Sequence, residues 1–172
     1  MPNLLFPPTA FAYNEGSQDL FTIDNFIAPS ENTRGVTRYG SVGNQANLTY
    51  NTFLVNQDFF DIDFDPATGI FTLTSHEYAP QSAVYLVTAQ ATFNGNTPVR
   101  IKVMNLTDNV QVGPSVPADG TTLQVSVTFV DDPEKDFVIV AYTEDGSLFT
   151  YPAQINNAQI NLQQLSGYSN LA

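Results

Sequence analysis

Seventeen carboxylates and a single histidine set the chemistry open to this 172-residue chain. Asp61-Ile62-Asp63-Phe64-Asp65 is its most regular acidic stretch. As an EF-hand loop it would need glycine at the sixth position and glutamate at the twelfth. Pro66 and Thr72 stand there, so that reading fails. Strand alternation puts the three carboxylates on one face, about 7 Å apart in succession, too far for one ion to use all three without help from other loops. A solvated acidic face accounts for them. His76-Glu77 lacks the company that acid–base work requires: there is no Ser-His-Asp set and no Gly-x-Ser-x-Gly elbow. No glycine-rich phosphate loop occurs, and nothing singles out a carboxylate pair for glycoside hydrolysis. The chain is expected not to be an enzyme.

Composition narrows the partners. There are no cysteines, which excludes disulfides, zinc-cysteine sites, iron–sulfur ligation and thiol catalysis. The net charge of −12 leaves no Lys/Arg patch for phosphate backbones or anionic membranes, so neither nucleic acid nor membrane insertion is expected. No apolar run approaches the roughly 20 residues that span a bilayer. The N-terminus has no basic segment, and prolines interrupt its apolar stretch, so it makes a poor export signal.

The elements that would position any site are strands. Phe60, Ile62 and Phe64 alternate with Asp61, Asp63 and Asp65, as on a sheet with one wet face. Residues 46–56 and 82–93 are apolar on both faces, and further strands are expected at 98–105, 121–130, 136–142, 147–151 and 158–168. Turn signals separate them, including Asn94-Gly95, Asp119-Gly120 and Asp145-Gly146. Eleven prolines and ten glycines leave no room for long helices. Many short strands at regular spacing predict a sandwich, jelly roll or barrel. Residues 1–45 read as an N-terminal arm with a short first strand, Leu4, Leu5 and Phe6 forming its apolar attachment segment. Residues 46–172 read as the domain proper.

One turn is especially informative. In Phe64-Asp65-Pro66-Ala67-Thr68-Gly69-Ile70-Phe71, Asp65-Pro66 initiates the turn and Gly69 supplies a positive φ before a β-branched and aromatic strand. Ala10-Phe11-Ala12 precedes it. Asn51-Thr52-Phe53-Leu54-Val55-Asn56 comes next, then the turn itself, and after it Ala83-Val84-Tyr85-Leu86-Val87, Val99-Arg100-Ile101-Lys102-Val103-Met104-Asn105 and Leu165-Ser166-Gly167-Tyr168. In order and spacing these segments resemble the complement C1q globular head and the wider tumour-necrosis-factor-like superfamily, over roughly residues 46–168.

The resemblance implies an all-β, TNF/C1q-like jelly-roll sandwich of about ten antiparallel strands, assembled as a homotrimer. Asp65, Pro66 and Gly69 would form its structural turn. Phe53, Phe71, Tyr85, Val87, Phe93 and Tyr168 would supply core and trimer contacts, since a second apolar face on 82–93 needs a cover that another copy can give; the alternative is that both faces lie within one subunit. Asp131, Asp132, Glu134 and Asp136 crowd one loop, and three copies of it near an axis would repel. Calcium, which seeks oxygen ligands, would relieve that repulsion; a solvated turn is the alternative. The expected role is a surface-displayed structural and binding module. With few cations and many Asn, Gln and Thr, the composition suits a virus or phage decoration, fibre or head protein on the virion surface, in contact with another capsid protein. The alternative is a bacterial extracellular adhesin or spore-surface protein, binding a glycan or protein at the cell surface.

Overall fold

The computed structural model describes residues 9–20, 44–55, 61–65, 68–74, 83–95, 97–131, 135–149 and 153–165. Twelve strands run through them: β1 (Thr9–Tyr13), β2 (Ser17–Asp19), β3 (Gln45–Asn47), β4 (Thr52–Val55), β5 (Asp61–Asp65), β6 (Ile70–Thr74), β7 (Ala83–Asn94), β8 (Val99–Asn105), β9 (Val110–Pro117), β10 (Thr122–Asp131), β11 (Lys135–Thr143) and β12 (Gln154–Gln164). Among the described residues no helix is long and apolar enough to cross a membrane.

The strands form two antiparallel sheets. The first has the order β10-β7-β12-β1-β4, with β2 also paired to β12; the second has the order β5-β6-β11-β8-β9, with β3 also paired to β11. Period-two alternation explains why they stack. On β7, Tyr85, Val87, Ala89, Ala91 and Phe93 are buried, while Val84, Leu86, Thr88 and Thr92 are half-buried on the opposite face. Opposite them across the ladder, Val127 and Leu162 both register on Val87, so they share its face. The second sheet answers with Phe71, Val99, Ile101, Val103, Phe137, Ile139 and Ala141, all buried. Between the sheets Phe137 stacks on Phe71 at 5.8 Å and meets Phe129 at 5.2 Å, and Phe129 in turn meets Tyr85 at 5.6 Å. This aromatic chain ties the two layers together.

Three expectations need adjustment. No strand forms at 147–149 within the anticipated 147–151, because Ser147 is held in a turn: its amide and hydroxyl both donate to Asp145 Oδ1, at 3.0 and 2.7 Å. Residues 150 and 151 lie outside the described residues. β12 starts at Gln154 rather than 158, because Asn157, at φ 54°, is absorbed in a bulge where the register with β7 shifts. β9 was not anticipated at all; Gly113, Pro114 and Pro117 mask an edge strand, the position in a sheet where proline is tolerated. The short first strand expected within 1–45 is β1. It lies between β12 and β4, so the first sheet reaches back to Thr9.

Candidate functional site

The turn at 65–69 closes as its chemistry demands. The amides of Thr68 and Gly69 donate to the Asp65 carbonyl at 3.2 and 2.7 Å, and Gly69 has φ 77°. Thr68 Oγ1 accepts from the Ile70 amide at 3.3 Å, and the buried Asn47 side chain donates to the Thr68 carbonyl at 2.8 Å. Asn47 thereby ties this turn to β3. Pro66 lies outside the described residues.

Of the residues expected in core or trimer contacts, Phe71, Tyr85, Val87 and Phe93 are buried between the sheets of one chain. No second copy is needed to cover them. Tyr168 and the side chain of Phe53 lie outside the described residues, as do Leu4, Leu5 and Phe6. In the acidic loop, Asp132 and Glu134 lie outside the described residues, and so does the Asp131 side chain. Asp136 accepts a hydrogen bond from Thr72 Oγ1, while its amide donates to Thr107 Oγ1 at 2.9 Å. Among the described residues no three His, Cys, Asp or Glu gather as a metal site. His76 and Glu77 lie outside the described residues.

The outer face of the first sheet is where the single chain leaves surface uncovered. Alternation turns Phe11 and Tyr13 of β1, Thr88 and Gln90 of β7, Gln124, Ser126 and Thr128 of β10, and Gln159 and Asn161 of β12 away from the core. The Phe11 and Tyr13 rings lie 5.6 Å apart and are half-buried. They line a cleft of about 450 Å³, walled by Asn14, Glu15 and Gln159, which continues into a hollow of about 190 Å³ beside Thr88, Gln90 and Asn161. These outward strand residues carry no charge, although the whole chain stands at −12. Sequence reasoning used Phe11 only as part of a motif. The signal for this face was the run of neutral outward residues on β7, β10 and β12, visible once the register is known.

Charged groups collect around the second sheet instead. Lys135 Nζ lies 2.7 Å from Asp108 Oδ2, and Asn105 Nδ2 donates to the same oxygen at 3.0 Å, while the Asp108 amide donates to Asn105 Oδ1 at 2.9 Å. The hydrogen bond from Lys135 holds the Asp108 carboxyl below the usual carboxylate range, with the lysine charge and Asn105 adding to it. A depressed folded value means that the group's stabilising effect is present above the unfolded pKa and is lost as pH falls through the folded one. Lys135→Met is therefore expected to raise the Asp108 pKa toward 3.8, read by carboxyl-carbon NMR titration. The 105–109 turn should then loosen at a higher pH than in the parent. An unchanged Asp108 titration would remove the ion pair from this account.

No family model matches the sequence, and no curated protein matches it. Solved structures do match its fold. The globular domain of zebrafish complement 1qA protein superposes with a TM-score of 0.53 at 19% identity, covering 93% of this chain and 98% of that one. Murine APRIL superposes with a TM-score of 0.52 at 8% identity, covering 92% and 99%. The chain has the C1q/TNF-like jelly-roll fold. Both matches span nearly the whole of each of those domains.

Proposed function

We propose that this C1q/TNF-like chain is a non-catalytic, homotrimeric binding module displayed on a surface, and that the surface is a virus or phage particle. The observation that carries the assembly is the run of uncharged outward side chains on β1, β7, β10 and β12. Copies bearing −12 each repel, and they approach at least cost through strands whose outward side chains are neutral, with Glu15 left at the rim of the cleft. Half-buried Phe11 and Tyr13 give that face an aromatic centre, and aromatic residues with neutral amides are the composition that interface cores favour. The fold supports the same geometry, since the resemblance to C1q and TNF-like domains implies a three-fold assembly. For display, the reading rests on composition: few cations and many exposed Asn, Gln and Thr suit a hydrated outer surface.

Sedimentation equilibrium is expected to give three times the 18.8 kDa of one chain. Phe11→Glu would place three carboxylates about the axis, and is expected to yield a folded monomer with an unchanged circular-dichroism spectrum. A parent protein that sediments as one chain would overturn the assembly. Immunogold labelling is expected on virions, and labelling confined to a bacterial envelope would replace the particle reading with an adhesin.

A further inference from the structure

The outer face of the second sheet holds a pocket that the assembly does not use. Ile101 and Val103 of β8, and Ile139 and Ala141 of β11, point into the core, so Lys102, Met104, Val138, Val140 and Tyr142 face outward. A pocket of about 260 Å³ is bordered by Gln45, Lys102, Met104, Leu106 and Asn109, with Val138 and Val140 beneath. Val138 and Val140 are themselves covered, at 0% and 4% exposure, so the apolar surface of the pocket comes from the half-buried Met104 and Leu106.

Apart from Asn47, which is tied to Thr68, the polar side chains around this pocket make no hydrogen bond among the described residues. Arg100 donates from Nε and Nη2 to Ser115 at 3.0 Å each and sits 3.7 Å from Glu144, and Lys135 is held by Asp108. Lys102 meets no carboxylate among the described residues, and its ammonium rests 4.5 Å from the centre of the Tyr142 ring. The side-chain amides of Gln45 and Asn109 make no hydrogen bond among the described residues. Asn109 is also fixed in place. It adopts φ 57°, a left-handed conformation that asparagine tolerates, at the end of the turn braced by Asn105, Asp108 and Lys135. One cation and two neutral amides thus border one pocket beside the apolar Met104 and Leu106, on a preorganised frame.

We propose that this pocket binds the carboxylate-bearing ring of an acidic sugar, a hexuronate-type unit. Lys102 takes the carboxylate, Gln45 and Asn109 supply donors and acceptors for ring hydroxyls, and the apolar ring face meets the half-buried Met104 and Leu106. The volume lies just below the roughly 300 Å³ at which ligand pockets begin, so it suits one ring. A phosphate dianion would want a second cation beside Lys102, and the nearby Arg100 is engaged by Ser115 and Glu144. A polyanion would be repelled by the chain's overall charge, whereas a single carboxylate facing one cation is not. This inference adds a ligand class to the binding-module reading, and it holds for one copy or three.

The test is a titration of the full chain with glucuronate and with glucose, followed by amide NMR shifts. Glucuronate is expected to shift residues around Gln45, Lys102 and Asn109, and to bind about tenfold or more tightly than glucose, since only it meets the cation. Lys102→Met should remove that preference with the melting temperature unchanged. Asn109→Asp, which keeps a residue tolerant of the left-handed turn but sets a carboxylate beside the ligand's, should weaken glucuronate to a similar degree. Absence of shifts at millimolar glucuronate, equal affinity for glucose, or a folded Lys102→Met that binds as before would each overturn the proposal. Sedimentation of the same samples keeps this result separate from the fate of the trimer.

Discussion

Gly69→Ala is expected to lower the stability of the fold by more than about 3 kcal/mol, while Gly146→Ala costs only about 1–2 kcal/mol. Both glycines are left-handed, at φ 77° and 81°. For a side-chain-bearing residue that conformation alone costs about 1–2 kcal/mol. The two sites differ in space. A Cβ on Gly146 meets nothing within 4 Å, whereas one on Gly69 would be driven into the Leu48 carbonyl oxygen and sit 3.0 Å from its carbon. That carbonyl belongs to the backbone that follows β3, and the Leu48 amide donates to the Ile139 carbonyl on β11 at 2.9 Å. It cannot retreat without disturbing the centre of the second sheet. The clash should raise the total for Gly69→Ala above about 3 kcal/mol, a large share of the 5–15 kcal/mol that ordinarily holds a domain together. Urea unfolding of both variants, at one protein concentration because assembly adds to stability, reads the difference. Equal losses at the two sites would mean that the backbone gives way and the close approach carries no weight.

Why Gly69 could be picked from the sequence, and Lys102 could not, follows from the kind of signal each leaves. A turn is local: Asp65, Pro66 and Gly69 state its dihedral needs within five residues, and no distant partner is required. The inward faces of β7 and β8 were equally legible, because Tyr85-Val87-Ala89 and Ile101-Val103 alternate strictly. The meaning of the outward faces depends on register across strands far apart in sequence. Gln45 and Lys102 are brought to one pocket only because β3 and β8 flank β11 on opposite sides, with Asn47 and Lys102 both registered on Val140. No spacing rule within one segment foretells that.

The second apolar face read on 82–93 shows the same limit. Its inward half closes against the second sheet of the same chain, so burial of Tyr85, Val87 and Phe93 says nothing about partners. Its outward half is mixed, with Val84 and Leu86 near one end and Thr88, Gln90 and Thr92 toward the other. The case for assembly therefore moves from apolarity to missing charge. Among the described outward side chains of β7, β10, β12 and β1 none is charged, with Glu15 at the rim of the cleft, and that is a stronger constraint on how copies meet than two aliphatic side chains.

Phe137→Ala is the second substitution expected to have a large effect, and it tests whether the two sheets are held by their aromatic centre. Phe137 is fully buried, pairs in register with both Phe71 and Asn105, and touches rings from each layer: Phe71 within its own sheet and Phe129 from the other. Truncation removes the transfer energy of the ring and leaves a hole lined by strands, whose hydrogen-bonded ladders limit collapse, so the loss should be about 3–5 kcal/mol. Phe137→Leu refills much of the space and should cost clearly less. Leu148→Ala, at a side chain 53% exposed, should change stability by no more than about 0.5 kcal/mol. The denaturation midpoint should therefore fall in the order Leu148→Ala, Phe137→Leu, Phe137→Ala, with the slope unchanged if the transition stays two-state. A Phe137→Ala protein as stable as Leu148→Ala would mean that the sheets are joined elsewhere, and that the aromatic chain from Phe71 to Tyr85 is not what sets their spacing.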